Sequence, residues 1–247
     1  RARRDEPFFV YLAHLYVHVP LYVQERFARE STNGAYGAAV AAIDWATAAI
    51  VHELGELGLE RDTVVIFTSD NGSRGVDGGS NEPLRGAKAT TWEGGMRVPC
   101  VVRWPGRVAP GRTTDEVAGS IDLYPTLAAI CGAPVPAGHA IDGRDLTALL
   151  LDPDEPSPHD AFLYYWMDDL EAVRVGRWKL HLAKHGSALT ALYDLEADPA
   201  ESRDVADANP DIVAELEAHA ERARHELGDA RTGRTGHGVR PAGRIAN

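Results

Sequence analysis

Residues 63–69 read Thr-Val-Val-Ile-Phe-Thr-Ser, and Asp70-Asn71-Gly72 follows directly. The run is β-branched and almost wholly apolar, so it reads as a strand buried on both faces, the pattern of a central strand in a parallel sheet. In open α/β sheets the carboxyl ends of strands face the ligand crevice. A carboxylate and an amide oxygen placed there can bind a hard cation, although Asp-Gly and Asn-Gly steps are also ordinary turn chemistry. Two residues do not complete such a site, because Ca²⁺ takes about six to eight oxygens and Mg²⁺ about six.

Upstream of this strand, Val40, Ile43, Thr47, Ile50, Leu54 and Leu57 step by three and four. That spacing predicts an amphipathic helix over residues 35–57, stopped near Gly58. Further back, Phe8, Phe9, Val10, Tyr11, Leu12 and Ala13 follow Pro7 and predict a first buried strand that ends among His14, Tyr16 and His18. Strand, helix and strand make a βαβ unit.

Downstream, residues 70–97 are rich in glycine and lack any period, so they form a loop long enough to carry function. A strand is expected over 98–104 and a short helix over 123–131. The stretch 152–158 (DPDEPSP) holds three prolines and three acids, which favour extended backbone and contribute no core. A boundary there divides the chain into an α/β portion over 1–156 and a small antiparallel sheet with a helix over 157–227. The short strands are expected at 172–175, 178–182 and 191–194, the helix from near Pro210, and a flexible tail over 228–247.

Composition narrows the function classes. With 247 residues, 44% hydrophobic and 25% charged, the chain is able to bury a core and is not disordered overall. A formal charge of -12 argues against a dominant attraction to nucleic acid or anionic membranes. Two cysteines, Cys100 and Cys131, exclude a disulfide scaffold and a cysteine zinc cluster. No uninterrupted apolar run reaches the roughly 18 to 20 residues of a membrane span, and the start RARRDE lacks the apolar stretch of a signal peptide. Because the first residue is not Met and a strand-like run begins soon after it, the chain is expected to be the C-terminal portion of something longer.

Within the loop, Lys88 lies between two alanines, whereas a phosphate-cradling loop needs Gly before Lys and Ser or Thr after it, so the nucleotide reading fails. Lys88 can instead serve as a compact cationic donor for a bound oxyanion, or as a proton donor to a leaving group if desolvated beside a metal, although a loop lysine taken alone is more often merely solvated. His18, after the first expected strand, can hydrogen-bond an anionic ligand or shuttle a proton, although such a histidine taken alone is more often structural and His14 and Tyr16 lie beside it. The remaining histidines, including His52 and His181, fit packing or solvation and receive no role.

Taken together, FFVYLAHLYVHVP, VIFTSDNG, GGSNEPLRGAKATTWEGGMRVP, RWPGRVAPG, IDLYPTLAAICGAP, IDGRDLTALL, AVRVGRWKLHL and LYDLEADPAE follow one another in an order that resembles the C-terminal half of the sulfatases. These are the arylsulfatase-like branch of the alkaline phosphatase superfamily. The resemblance implies an α/β fold with a mostly parallel, helix-flanked sheet and a small antiparallel C-terminal subdomain. It implies hydrolysis of a small-molecule or carbohydrate sulfate ester, with Asp70 and Asn71 as two ligands of Ca²⁺, in preference to Mg²⁺. Lys88 would contact the sulfate and the leaving oxygen, with His18 beside it, both as catalytic and as substrate-binding residues. A phosphodiester or phosphonate monoester hydrolase of the same superfamily is the nearest alternative, and a non-catalytic binding module is another. The family's Cys-x-Pro-x-Arg or Ser-x-Pro-x-Arg motif, the source of its formylglycine nucleophile, does not occur in these 247 residues. This chain alone is therefore expected to be inactive. The resemblance also implies export to the periplasm or secretion, whereas the choice of ester and the oligomeric state are not legible.

Overall fold

The computed structural model describes residues 5–138 and 140–241. After an irregular segment come helices α1 (Glu25–Glu30) and α2 (Gly34–Glu56), strand β1 (Val65–Thr68), a short helix α3 (Glu93–Met96) and strand β2 (Cys100–Arg103). Helices α4 (Leu123–Ile130) and α5 (Thr147–Leu151) lead to strands β3 (Phe162–Trp166), β4 (Asp169–Val175), β5 (Trp178–Lys184) and β6 (Ser187–Asp194). Helix α6 (Pro210–Glu226) and a minimal hairpin, β7 (Gly228–Asp229) with β8 (Arg234–Thr235), close the order.

The helix at 34–56 forms where the spacing predicts it, but its buried residues are Ala38, Ala39, Ala42 and Leu54. Val40 and Ile50, expected in the core, are exposed together with Trp45. The helix is apolar nearly all round, so periodicity does not define one face, and the small alanines pack closest. By length and composition α2 would also suit a membrane span. Its outward indole instead meets α1, whose Arg26 guanidinium lies over both Phe27 and Trp45.

Two expectations for the first sheet are corrected. Residues 7–13 form no strand, and Phe8 to Leu12 are exposed. β1 pairs with β2 antiparallel, Val65 opposite Arg103 and Thr68 opposite Cys100, and no parallel pair occurs among the described residues. An apolar β-branched run reports burial, not direction. Direction follows from the connection, and the loop over 69–99 returns the chain without a helical crossover long enough to align the strands. Phe67 and Val101 on this pair are exposed.

The second sheet is antiparallel in the order β3-β4-β5-β6, as the closely spaced short strands predict. β3, an aromatic edge strand at Phe162–Trp166, escaped the sequence reading. The sheet has two unlike faces. Leu170, Val173, Leu180, Leu182 and Leu192 pack against Leu216, Ala220 and Ala223 of α6, each large side chain contributing about 1.5–3 kcal/mol by leaving water. On β5 these leucines alternate with Lys179 and His181, both fully buried on the opposite face.

Chain on both sides of the expected boundary is joined by hydrogen bonds. Ser157 donates from its hydroxyl to the Val117 carbonyl at 2.6 Å, and the His159 ring meets the buried Asp122 carboxylate at 2.9 Å. The expected tail begins later than residue 228. Tyr165 donates to the Gly228 carbonyl at 2.9 Å, and buried Asp229 accepts from Arg224 at 2.9 Å. The last six residues of that tail, like the first four of the chain, lie outside the described residues.

Candidate functional site

The turn after β1 is built by close backbone packing. Gly72 donates its N–H to the Gly95 carbonyl at 3.0 Å, and a Cβ on Gly72 would stand 1.8 Å from the Gly94 carbonyl oxygen. Only glycine permits that approach. Asn81 then stitches the loop: its Oδ1 accepts from the Ser73 amide at 2.7 Å, and its Nδ2 donates to the carbonyls of Ser73 at 2.8 Å and Gly86 at 3.1 Å. The Lys88 amide donates to the same Ser73 carbonyl at 2.9 Å. Lys88 is thereby tied through its backbone to a residue three positions beyond Asp70.

Side-chain chemistry at this place is open. Asp70 is exposed, and among the described residues its carboxylate meets only the Ser69 hydroxyl, at 3.5 Å. Asn71 donates from Nδ2 to the Gly72 carbonyl at 3.1 Å, which leaves its Oδ1 free to accept a cation. Two hard oxygens from adjacent residues suit part of a Ca²⁺ shell. Among the described residues no group of three or more His, Cys, Asp or Glu side chains is poised for a metal. The Lys88 ammonium is half-buried and has no side-chain partner among the described residues. His18 is exposed, with Nδ1 donating to the neighbouring Val19 carbonyl at 2.8 Å. A carbonyl only accepts, so the neutral ring carries its proton on Nδ1 and presents a bare Nε2.

A second constellation, which sequence reading passed over, lies under the loop on the buried face of β5. The Lys179 ammonium donates to the Thr91 carbonyl at 2.8 Å and to Glu93 Oε1 at 2.8 Å, and stands 3.0 Å from Glu201 Oε1. Glu201 also accepts from the Glu93 amide at 2.7 Å and from His181 Nε2 at 2.9 Å. Glu171 accepts from the Thr91 hydroxyl at 2.6 Å and lies 3.5 Å from Lys184 Nζ. The Trp92 ring lies over His181 at 4.0 Å and edge-on to Tyr193 at 5.7 Å. One signal in the sequence marked this cluster: Lys179 and His181 alternate with Trp178, Leu180 and Leu182 along β5, so two polar side chains share one face of a central strand.

Burial and partners oppose each other here. Burial pushes the Glu201 carboxyl up, but the His181 hydrogen bond, the Lys179 charge and the Glu93 amide outweigh it and hold the group below its ordinary 4.5. Burial likewise pushes Glu171 up, and Thr91, the His185 amide and Lys184 together bring it below 4.5. Burial lowers His181 from 6.5 more than Glu201 restores it, so the ring is neutral, with Nε2–H donating and Nδ1 left without a partner.

A depressed folded pKa contributes stability that is present above the unfolded value and is lost as pH falls through the folded one. Urea unfolding free energy is therefore expected to fall in two stages on acidification. The first begins below 6.5, as unfolded His181 takes a proton that the buried ring refuses, and the second below 4.5 as Glu171 and Glu201 protonate. His181→Gln should shrink the first stage and leave the second. A pH series of urea titrations checks both.

Comparison with known proteins identifies the family. The family model described as Sulfatase matches residues 1–133, and the model described as N-sulphoglucosamine sulphohydrolase, C-terminal, matches residues 87–226. Steryl-sulfatase of Rattus norvegicus is 41% identical over 189 residues, covering 73% of this chain and 32% of that protein. Arylsulfatase A of Homo sapiens is 39% identical over 246 residues, covering 87% of this chain and 48% of that protein. Among solved structures, Ps i-CgsB superposes with a TM-score of 0.79 at 27% identity, over 93% of this chain and 52% of that one. The chain thus spans about a third to a half of the relatives it matches. With one family model covering more than half of these residues and a second continuing from the Lys88 loop through α6, this chain belongs to the sulfatase family.

Proposed function

We propose that these residues supply part of the active site of a sulfuric ester hydrolase acting on a small-molecule or carbohydrate sulfate ester. The observation that carries the reading is the tie between Asp70–Asn71 and Lys88: one glycine-packed loop, pinned by Asn81, holds two hard oxygens and one unpaired ammonium. The names of the relatives, steryl-sulfatase, arylsulfatase A and N-acetylgalactosamine-6-sulfatase, agree with that chemistry.

In this proposal Asp70 and Asn71 hold Ca²⁺ through Oδ atoms, and the ion when bound supplies positive charge to the sulfate oxygens. Lys88 donates hydrogen bonds to a sulfate oxygen and to the departing ester oxygen as negative charge develops there. Because His18 carries its neutral proton on Nδ1, only its protonated form donates from Nε2 toward a leaving group. The group that attacks sulfur is not supplied by either cysteine, since Cys100 is followed by Val-Val-Arg and Cys131 by Gly-Ala-Pro.

The same proposal takes residues 1–156 as part of the catalytic α/β domain and the small sheet with its helix over 157–227, closed by the β7–β8 hairpin, as a subdomain. Parallel strands would join outside the β1–β2 pair. It includes no nucleic-acid partner and no membrane span, the exposed apolar side of α2 being a packing face. Periplasmic or secreted location is part of it by family resemblance.

Calorimetric titration of the 247-residue chain tests the metal assignment. Two adjacent oxygen donors with the rest of the shell filled by water should bind Ca²⁺ with a Kd of about 1 mM or weaker. Asp70→Ala should remove the residual heat. Binding unaffected by Asp70→Ala would overturn the assignment.

A further inference from the structure

Lysine is scarce in this chain: of 25 basic residues only Lys88, Lys179 and Lys184 are lysine, and all three gather around Thr91. Lys179 donates to the Thr91 carbonyl at 2.8 Å, Lys184 lies 3.5 Å from the Thr91 hydroxyl, and Lys88 sits three residues before it. The segment 85–93 is an arch with Lys88 near its tip. At the tip the Thr90 hydroxyl donates to the Ala87 carbonyl at 2.8 Å, closing a small turn in which Ala89 has φ +69°. A left-handed alanine costs about 1–2 kcal/mol, so the turn persists only because its surroundings hold it.

Both feet of the arch are held by the small sheet and the loop that follows it. On one side, Arg85 donates to the Glu201 carbonyl at 2.9 Å, and its guanidinium lies 3.8 Å from the centre of the Trp92 ring. On the other, Thr91 and Glu93 are bound by Lys179, Glu171 and Glu201, all buried. Glu201 grips both feet, one through its carbonyl and the other through its carboxylate, and itself has φ +49°. A second left-handed residue other than glycine thus sits at the point where the grip closes.

We propose that Arg85, Lys179 and Glu201 are positioning residues, which clamp the arch onto the small sheet and so set where the Lys88 ammonium stands. The inference rests on the reading of Lys88 as a sulfate-contacting group for its catalytic meaning, but the clamp itself is a property of these 247 residues. It gives the C-terminal sheet a role in the reaction: displacing a catalytic group by about 1 Å costs on the order of a hundredfold in rate.

Hydrogen exchange with mass spectrometry on the 247-residue chain tests it, with Glu201→Gln and with Arg85→Ala. Arg85 is an exposed residue, and its loss leaves the buried charges paired, so the second variant folds even if the first does not. Amides 86–92 should exchange about tenfold faster or more in each folded variant, with amides 178–183 unchanged. Unchanged exchange at 86–92 overturns the proposal. So does acceleration that appears only together with 178–183, because that pattern belongs to general loosening. In a longer protein that turns over a sulfate ester, Arg85→Ala should lower kcat about tenfold with KM little changed. Loss of the exchange effect with Lys88→Ala still inactive would sink the clamp alone. An exchange effect with Lys88→Ala fully active would sink the sulfate reading alone.

Discussion

Lys179→Met is expected to destabilise the folded chain by about 3–5 kcal/mol, because it leaves the Glu93 and Glu201 carboxylates buried without their shared cation. Methionine fills much of the lysine's volume, so the cost is electrostatic and not a cavity. It is also not offset by neighbours: Arg174 is 3.9 Å from Glu93, and neutral His181 already donates its one proton to Glu201. The lost Thr91 carbonyl contact adds an unsatisfied acceptor. Urea denaturation near neutral pH reads the effect as a lower midpoint at unchanged slope. A cost below about 1 kcal/mol would mean that the cluster does not hold ionised carboxylates.

Lys88→Ala should have the largest effect on chemistry. In a longer protein where these residues accompany a Cys-x-Pro-x-Arg segment, kcat should fall by about 10²–10³, the usual loss when one donor to a developing oxyanion is removed. The side chain has no partner among the described residues, so its removal breaks no hydrogen bond or ion pair and stability should change little. Arginine places charge on a longer, planar group and should restore binding better than turnover. Steady-state kinetics with a chromogenic sulfate, paired with a melting curve, separates the two effects. A fall in the melting temperature matching the fall in kcat would move Lys88 from chemistry to structure.

Much of the architecture was legible wherever local pattern and tertiary environment agree. The period of three and four announced α2, the β-branched run announced β1, and the short alternating runs announced β4 to β6. What pattern does not encode is partnership. Residues 7–13 carry every mark of a buried strand, yet no described strand pairs with them. The burial of Ala38, Ala39 and Ala42 in place of Val40 follows from how closely a neighbour approaches, which no single helix reports. Asp70, Asn71 and Lys88 stood out because acid, amide and amine beside glycines are legible as chemistry. The clamp did not, because Glu93 meets Lys179 across 86 positions and Glu201 across 108, distances over which spacing carries no signal.

The most direct measurement is turnover of 4-nitrophenyl sulfate with Ca²⁺ present. It compares the 247-residue chain with a longer protein in which the same residues follow a formylglycine-bearing segment. No turnover is expected from the chain alone, because the proposed reading gives it part of a metal shell and a leaving-group donor, while its 247 residues contain no Cys-x-Pro-x-Arg segment to supply the nucleophile. Turnover is expected from the longer protein, lost on Asp70→Ala and sharply reduced on Lys88→Ala. Turnover by the chain alone that disappears when Lys88 is replaced would contradict the account, since a different nucleophile would then lie within these residues.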